Sequence, residues 1–99
     1  MTVVESLPLT NISLINAEKV KAGKTVTVAG RIIGGTKPVT YEFYFKRSQN
    51  TKWNKLSYAS EKGTYAKFTP TKAAEYDIRS VAIDANGTRS EKIFSLTSE

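Results

Sequence analysis

The side chains best suited to contact a ligand are aromatic and basic residues near the middle of the chain. Tyr44 alternates away from the expected core, and Trp53 follows it after a polar loop. Aromatic rings on a sheet face can stack on sugar rings, while neighbouring polar groups bond hydroxyls. The candidate ligand-binding residues are therefore Tyr44, Trp53, Lys46 and Lys55. The alternative is structural: Trp53 folds over the sheet edge to cover the core, and Tyr44 packs beside it.

Side chains that could carry catalysis are scarce. The chain has no His and no Cys, which removes the commonest general base, the thiol nucleophile and the commonest neutral metal ligand. Asp77 and Asp84 lie seven positions apart, so on an extended strand they point to opposite faces and cannot form an acid/base pair. The sequence predicts no enzyme, no catalytic residue, no cofactor and no metal.

Two glycine-containing segments match binding loops only in part. The segment from Asp84 through Asn86 to Gly87 begins like a calcium loop but lacks its later acidic ligands. A hairpin turn explains it better, since Asn and Gly tolerate positive φ. Gly34 and Gly35 lack the following Gly-Lys-Ser/Thr of a phosphate-binding loop, and they indicate a tight turn instead.

The chain is basic, with 15 Lys and Arg against nine Asp and Glu and a formal charge of +6. The lysines are scattered through nearly every segment, which is typical of a solvated surface with guarded strand edges. An anionic cell-wall polymer stays open as a partner, whereas nucleic acid is not expected. No apolar run approaches the roughly 20 residues that cross a bilayer, so membrane insertion is not expected.

Hydrophobic residues recur with period two, which indicates strands. The pattern predicts about seven of them, at 11–16, 24–33, 39–47, 52–57, 64–69, 75–83 and 88–97. Short strands separated so regularly by turn residues are typical of a β-sandwich or barrel. The residues expected to form the core are Val26, Val28, Ile32, Tyr41, Phe43, Phe45, Phe68, Tyr76, Ile78 and Phe94.

The length of 99 residues predicts one domain, spanning 8–99, after a linker or added tail at 1–7. The first residues lack the basic and apolar regions of a signal peptide. If the natural protein is exported, we expect this chain to be an internal piece of it, with Met1 added.

Several motifs follow one another in an order known from one family. They are the Gly34-Gly35 turn, the aromatic strand at 41–46, Trp53 with Leu56, the run Phe68-Thr69-Pro70, the run at 76–79 and the turn at 84–87. Over residues 24–97 the chain resembles the triple-tyrosine type of immunoglobulin-like module found in exported multimodular bacterial proteins, especially those of Firmicutes.

The resemblance implies an immunoglobulin or fibronectin type III-like antiparallel β-sandwich, monomeric and extracellular or at the cell surface. It implies a non-catalytic structural, spacer or accessory module of a larger surface or polysaccharide-degrading protein, whose partners are neighbouring modules. Two alternatives stay open. One is a module that binds polysaccharide or cell-wall polymer through exposed aromatics, and the other is a protein-interaction module that supports an adjacent anchoring domain.

Two residues in the later strands bear on this resemblance. Tyr76 stands at the start of a strand after a crossover, where such sandwiches use a tyrosine whose hydroxyl bonds a loop backbone. Ser80 departs from the pattern, because modules of this type usually have an aliphatic residue there. A buried hydroxyl needs a partner, or its burial costs about 1–3 kcal/mol.

Overall fold

The computed structural model describes residues 8–59 and 61–99, and these residues form strands and loops without a helix. The all-β class expected from the sequence is confirmed, and the linker expected at 1–7 lies outside the described residues. No helix in the described ranges is long and apolar enough to span a membrane. The strands are β1 (Thr10–Asn11), β2 (Leu14–Ile15), β3 (Lys19–Val20), β4 (Val26–Ala29), β5 (Ile32–Ile33), β6 (Thr40–Arg47), β7 (Asn54–Lys55), β8 (Tyr65–Phe68), β9 (Ala74–Ile83) and β10 (Arg89–Ser98).

The strands form two larger sheets and one small one. The five-stranded sheet has the order β3-β10-β9-β6-β7, and the three-stranded sheet has the order β2-β4-β8. β1 pairs with β5 in a separate two-stranded ribbon. All pairs are antiparallel except β3 with β10, which run parallel.

The core lies between the two larger sheets and is built from alternate residues of their strands. Val26 and Val28 of the three-stranded sheet and Phe43 and Ile78 of the five-stranded sheet are fully buried. Across the interface, the rings of Phe45 and Phe68 lie 4.7 Å apart between centroids. The other buried members of this core are Leu56, Ala66, Phe68, Tyr76 and Leu96.

Four residues expected in the core are less buried than the sequence suggests. Tyr41, Phe45 and Phe94 are half-buried and pack against the core from its rim. Ile32 is half-buried and lies outside the core. The expected strand 24–33 breaks at Gly30, where a Cβ would lie only 2.6 Å from the Tyr41 ring, and Ile32 then pairs with β1.

The N-terminal part of the chain contacts three different strands in turn. The expected strand 11–16 is split into β1 and β2, and β3 was not expected from the sequence. β2 pairs with β4 of the three-stranded sheet, after which the chain crosses so that β3 pairs with β10 of the five-stranded sheet. The segment that carries β2 and β3 therefore joins the two larger sheets. The expected strand 52–57 is reduced to β7.

Buried polar groups form a hydrogen-bonded network at one end of the core. The Ser80 and Ser13 hydroxyls lie 2.8 Å apart, and both residues are fully buried. The Asn11 amide Nδ2 donates to the Ser80 carbonyl oxygen at 2.9 Å, and the Ser13 N–H donates to Asn11 Oδ1. The Ser80 side chain can be buried at a core position because its hydroxyl is hydrogen-bonded to that of Ser13. Networks in which every buried polar group has a partner favour one packing arrangement.

The turns expected from the sequence are stabilised by glycine conformations and by hydrogen bonds between side chains and the backbone. Gly34 and Gly35 adopt φ of 75° and 77°, a conformation that L side chains rarely take. The Asp84 carboxylate accepts the backbone N–H groups of Thr36, Asn86 and Thr88, which closes the turn before β10. The Tyr76 hydroxyl donates to the Lys72 carbonyl oxygen at 3.4 Å, which confirms the loop bond expected of this tyrosine.

Candidate functional site

The candidate ligand-binding residues lie on the outer face of the five-stranded sheet, opposite the core. Tyr44 of β6 is directly opposite Lys55 of β7 and Arg79 of β9. Lys46 lies two positions further along β6 on the same face, and Trp53 stands just before β7. Tyr44, Lys46 and Trp53 are half-buried, and Lys55 is exposed.

Arg79 lies at the centre of this face, between two aromatic rings. Its guanidinium carbon is 4.7 Å from the centroid of Tyr44 and 4.6 Å from that of Trp53. The Lys46 ammonium is 5.2 Å from the Trp53 centroid. These distances fall within the range of cation–π attraction. We refer to Tyr44, Lys46, Trp53 and Arg79 as the cation–aromatic cluster; Lys55 borders it through strand pairing.

Carboxylates surround the cluster and partly neutralise it. Lys46 Nζ lies 2.9 Å from Asp77 Oδ2, with both side chains largely buried. The Tyr44 hydroxyl donates to the Glu42 carboxylate. Arg79 Nη1 is 3.7 Å from Glu91 Oε1, too far for a hydrogen bond. Lys46 thus has a firm acidic partner, whereas Arg79 has only a loose one.

The two firm contacts shift protonation equilibria. The hydrogen bond from Lys46 lowers the pKa of Asp77, and this effect together with the Ser48 hydroxyl bond outweighs the opposing effect of burial. The hydrogen bond to Glu42 raises the pKa of Tyr44, and burial adds to the increase. Asp77 is ionised and Tyr44 protonated near neutral pH even without these shifts, so their effect is to extend the pH range over which each pair stays bonded, to lower pH for Asp77 and to higher pH for Tyr44.

One polar atom of the cluster is buried without a partner. The Nε–H of Arg79 has no hydrogen bond among the described residues, although it is shielded from solvent. An unpaired buried donor costs free energy, and native structures rarely keep one without a reason. The rings of Tyr44 and Trp53 offset part of this cost through their π faces. Arg79 is therefore the least satisfied charged group described in the cluster.

Sequence reasoning did not include Arg79 among the site residues, although the alternation of β9 predicts that its side chain faces outward. Alternation within β9 puts Tyr76, Ile78 and Ser80 inward, so Arg79 faces outward with Asp77. Only the register of β6 against β9 brings it opposite Tyr44. The structural alternative for Trp53 is not borne out, because its half-buried ring packs over Arg79 on the outer face of the sheet and not against the core.

Comparison with known proteins gives a likeness of fold. No family model matches the chain, and no curated protein matches it. A solved structure of superoxide reductase (neelaredoxin) from Ignicoccus hospitalis is similar, with 20% identity and a TM-score of 0.61, covering 92% of this chain and 83% of that one. Two variants of that protein match with 18% identity and TM-scores of 0.53, covering 88% and 90% of this chain and 79% and 81% of theirs. At these identities the likeness shows a shared fold alone.

These matches correct four expectations from the sequence. The resemblance to triple-tyrosine immunoglobulin-like modules is contradicted, because the similar structures are superoxide reductase domains. The functions attached to it are contradicted too: the non-catalytic spacer or accessory module, the polymer-binding module and the module supporting an anchoring domain. The descriptive terms multimodular and carbohydrate-binding lose their support with them. The prediction that the chain is not an enzyme is contradicted by the same comparison, since the similar solved structures are superoxide reductases; the likeness of fold does not by itself give this chain that activity.

The residues of this chain do not fit a resident redox metal. Electron transfer to a substrate such as superoxide is carried by a metal or an organic cofactor in enzymes. Imidazole and thiolate, the usual ligands of redox-active iron and copper, are absent from the whole sequence. Within residues 8–59 and 61–99, no group of three or more acidic side chains lies where it could hold a metal ion.

Proposed function

We propose that the cation–aromatic cluster binds an anionic group, a carboxylate or a phosphate. The observation that carries the proposal is Arg79, whose guanidinium lies between two rings and whose Nε–H has no hydrogen-bond partner in residues 8–59 and 61–99. A guanidinium donates two parallel hydrogen bonds to carboxylate or phosphate, which is why Arg prevails where such groups are recognised.

Access to Arg79 depends on Trp53, which covers one face of the guanidinium. Trp53 lies outside the strands, in the loop before β7, so its side chain can move without breaking a strand pair. The Glu91 carboxylate, 3.7 Å away, is the only acidic group paired with Arg79 among the described residues. An incoming anion that displaces Glu91 exchanges a loose ion pair for hydrogen bonds.

The net charge of +6 favours the approach of anions from solution. The ligand group can be free or part of a larger molecule; an anionic cell-wall polymer as partner stays a possibility left open by the sequence. The extracellular or cell-surface location, the single domain at 8–99 and the monomeric state stay predictions from the sequence.

The experiment is a titration of Trp53 fluorescence, since Trp53 is the single tryptophan and contacts Arg79. Inorganic phosphate, acetate and teichoic acid serve as separate probes. We expect a saturable change that weakens at least about tenfold in Arg79→Met, because the bidentate donor is lost. Stronger binding of the polymer than of free phosphate would identify the polymer as the source.

The matched control is Lys67→Met, which removes one positive charge from an exposed position on β8, in the other sheet. We expect this variant to bind as the wild type does. Equal weakening in both variants would mean that the whole surface charge attracts the anion, and it would refute the assignment to the cluster.

We also propose that the strand arrangement is immunoglobulin or fibronectin type III-like. Its support is the N-terminal segment, in which β2 pairs with one sheet and β3 pairs in parallel with β10, the last strand, in the other. The succession β10-β9-β6-β7 in one sheet agrees with such a sandwich. A crystal structure with β2 and β3 in the same sheet would contradict it.

A further inference from the structure

The outer face of β10 presents an exposed apolar side chain directly opposite Arg79. Ile93 pairs with Arg79 in the register of β9 and β10. Directly opposite residues of an antiparallel pair lie on the same face of the sheet, with their Cβ atoms about 5 Å apart. Ile93 is 56% exposed. The cation–aromatic cluster therefore borders an aliphatic side chain on its β10 side, in addition to the two rings on its β6 side.

One end of the Arg79 guanidinium points toward β10. Its Nη1 lies 3.7 Å from Oε1 of Glu91, which stands two positions before Ile93 and therefore on the same face of the strand. The Glu91 side chain is 45% exposed, so its carboxylate can turn into solvent. An anion that takes the place of this carboxylate at Nη1 lies above β10, next to Ile93.

A groove of about 540 Å³ beside β10 continues this apolar surface. Residues 92–95 line one side of the groove, and residues 13–15 with Glu18 line the other. Leu14, on the second side, is 54% exposed. Ile93 belongs both to the surroundings of Arg79 and to the groove, so a hydrocarbon chain that starts beside the guanidinium can extend into the groove.

We propose that the anion bound by the cluster is the carboxylate of an aliphatic acid, whose hydrocarbon chain lies on Ile93 and enters the groove. This inference rests on the proposed anion site and names its ligand class. Charge favours a carboxylate, because Arg79 is the one cation of the cluster without a firm acidic partner among the described residues. A phosphate monoester carries a charge of about −1.5 to −2 at pH 7. Its second charge would meet the carboxylates of Glu42 and Glu91, which border the cluster.

The hydrocarbon contact makes affinity depend on the length of the acid. A methylene group that is fully removed from water tightens binding about fourfold, and one that is covered on a single side tightens it about twofold. Hexanoate has four methylene groups more than acetate, so we expect it to bind at least about tenfold tighter than acetate.

The test is a titration with acetate, butyrate, hexanoate and inorganic phosphate at constant ionic strength, followed by Trp53 fluorescence. The readout is the ratio of the acetate Kd to the hexanoate Kd. Ile93→Ser should reduce this ratio to about twofold or less, because the apolar contact is lost. Ile33→Ser is the matched control and should keep the wild-type ratio, since Ile33 is 50% exposed on β5, outside the groove. Circular dichroism verifies that each variant is folded.

The outcomes separate the ligand class from the anion site. If acetate and hexanoate bind the wild type equally, and Arg79→Met weakens both, the ligand class is overturned while the anion site stands. A preference for hexanoate that persists in Ile93→Ser or in Arg79→Met also overturns it, because the hydrocarbon then binds elsewhere. Tighter binding of phosphate than of hexanoate contradicts the choice of a carboxylate. If none of the four probes binds saturably, the anion site fails and this inference fails with it.

Discussion

Replacing Arg79 by Met tests whether the cation–aromatic cluster serves binding or stability. Met keeps an unbranched apolar stem between the Tyr44 and Trp53 rings but removes the charge and the unpaired Nε–H. The loss of two cation–π contacts costs about 0.5–1 kcal/mol each at a partly exposed site. The loose ion pair with Glu91, at 3.7 Å, adds about 0–1 kcal/mol.

The opposing contribution is relief of the buried donor. An unsatisfied buried polar group costs about 1–3 kcal/mol, and Met has no such group. The two contributions nearly cancel, so we expect the free energy of unfolding to change by less than about 1 kcal/mol. Arg79→Ala should destabilise more, because it also removes the stem that packs between the rings.

The assay is urea unfolding followed by far-UV circular dichroism, which does not depend on Trp53. Arg79→Met should unfold near the wild-type midpoint and with the same slope, while its anion binding weakens at least about tenfold. A loss of more than about 3 kcal/mol in Arg79→Met would refute the reasoning, because the arginine would then be a structural element of the sheet face.

Three further outcomes follow from the structure. Asp77→Asn should lower Tm at neutral pH, because it breaks the ion pair with Lys46. The pKa of Asp77 is lowered in the folded state, so the difference in Tm from wild type should be fully present above the unfolded-state pKa of about 3.9 and vanish as pH falls through the folded-state pKa. Thermal melts at successive pH values measure this difference. Ser13→Ala should destabilise by about 1–3 kcal/mol in urea, because it leaves the buried Ser80 hydroxyl unpaired and removes the acceptor of the Arg31 N–H. The double Ser13→Ala/Ser80→Ala variant removes the unpaired hydroxyl and should recover part of that loss, and a larger loss in the double variant would contradict the pairing. Phe43→Ala should cost about 3–5 kcal/mol, since the side chain is fully buried between the sheets, and a cost below about 1 kcal/mol would place it outside the core.

The sequence predicts the long strands well because each is long enough for its hydrophobic residues to show a period of two. β6, β9 and β10 each begin and end within one residue of the expected bounds, since each has an inner face packed on the core. The shortest strands were harder to predict. β1, β3 and β5 have two residues each, and two residues are too few to show a period.

The candidate site was predictable in its location but not in its contacts. Alternation alone places Tyr44 outward, and the structure agrees. The partners of Tyr44 depend on strand order and register, which a single strand pattern does not contain. Arg79 lies 35 positions from Tyr44 in the sequence, and only the pairing of β6 with β9 brings the two side chains together.

The parallel pairing of β3 with β10 also determines how the molecule responds to tension. β3 and β10 run in the same direction with Lys19 beside Thr97, so the chain leading into β3 and the chain following β10 lie at opposite ends of this pair. A pull between the two ends makes these strands slide past each other, so the backbone bonds at Thr97, Glu99 and Ala22 are loaded together rather than opened one at a time. A short ladder that contributes little to equilibrium stability can thereby be the main mechanical resistance of the fold.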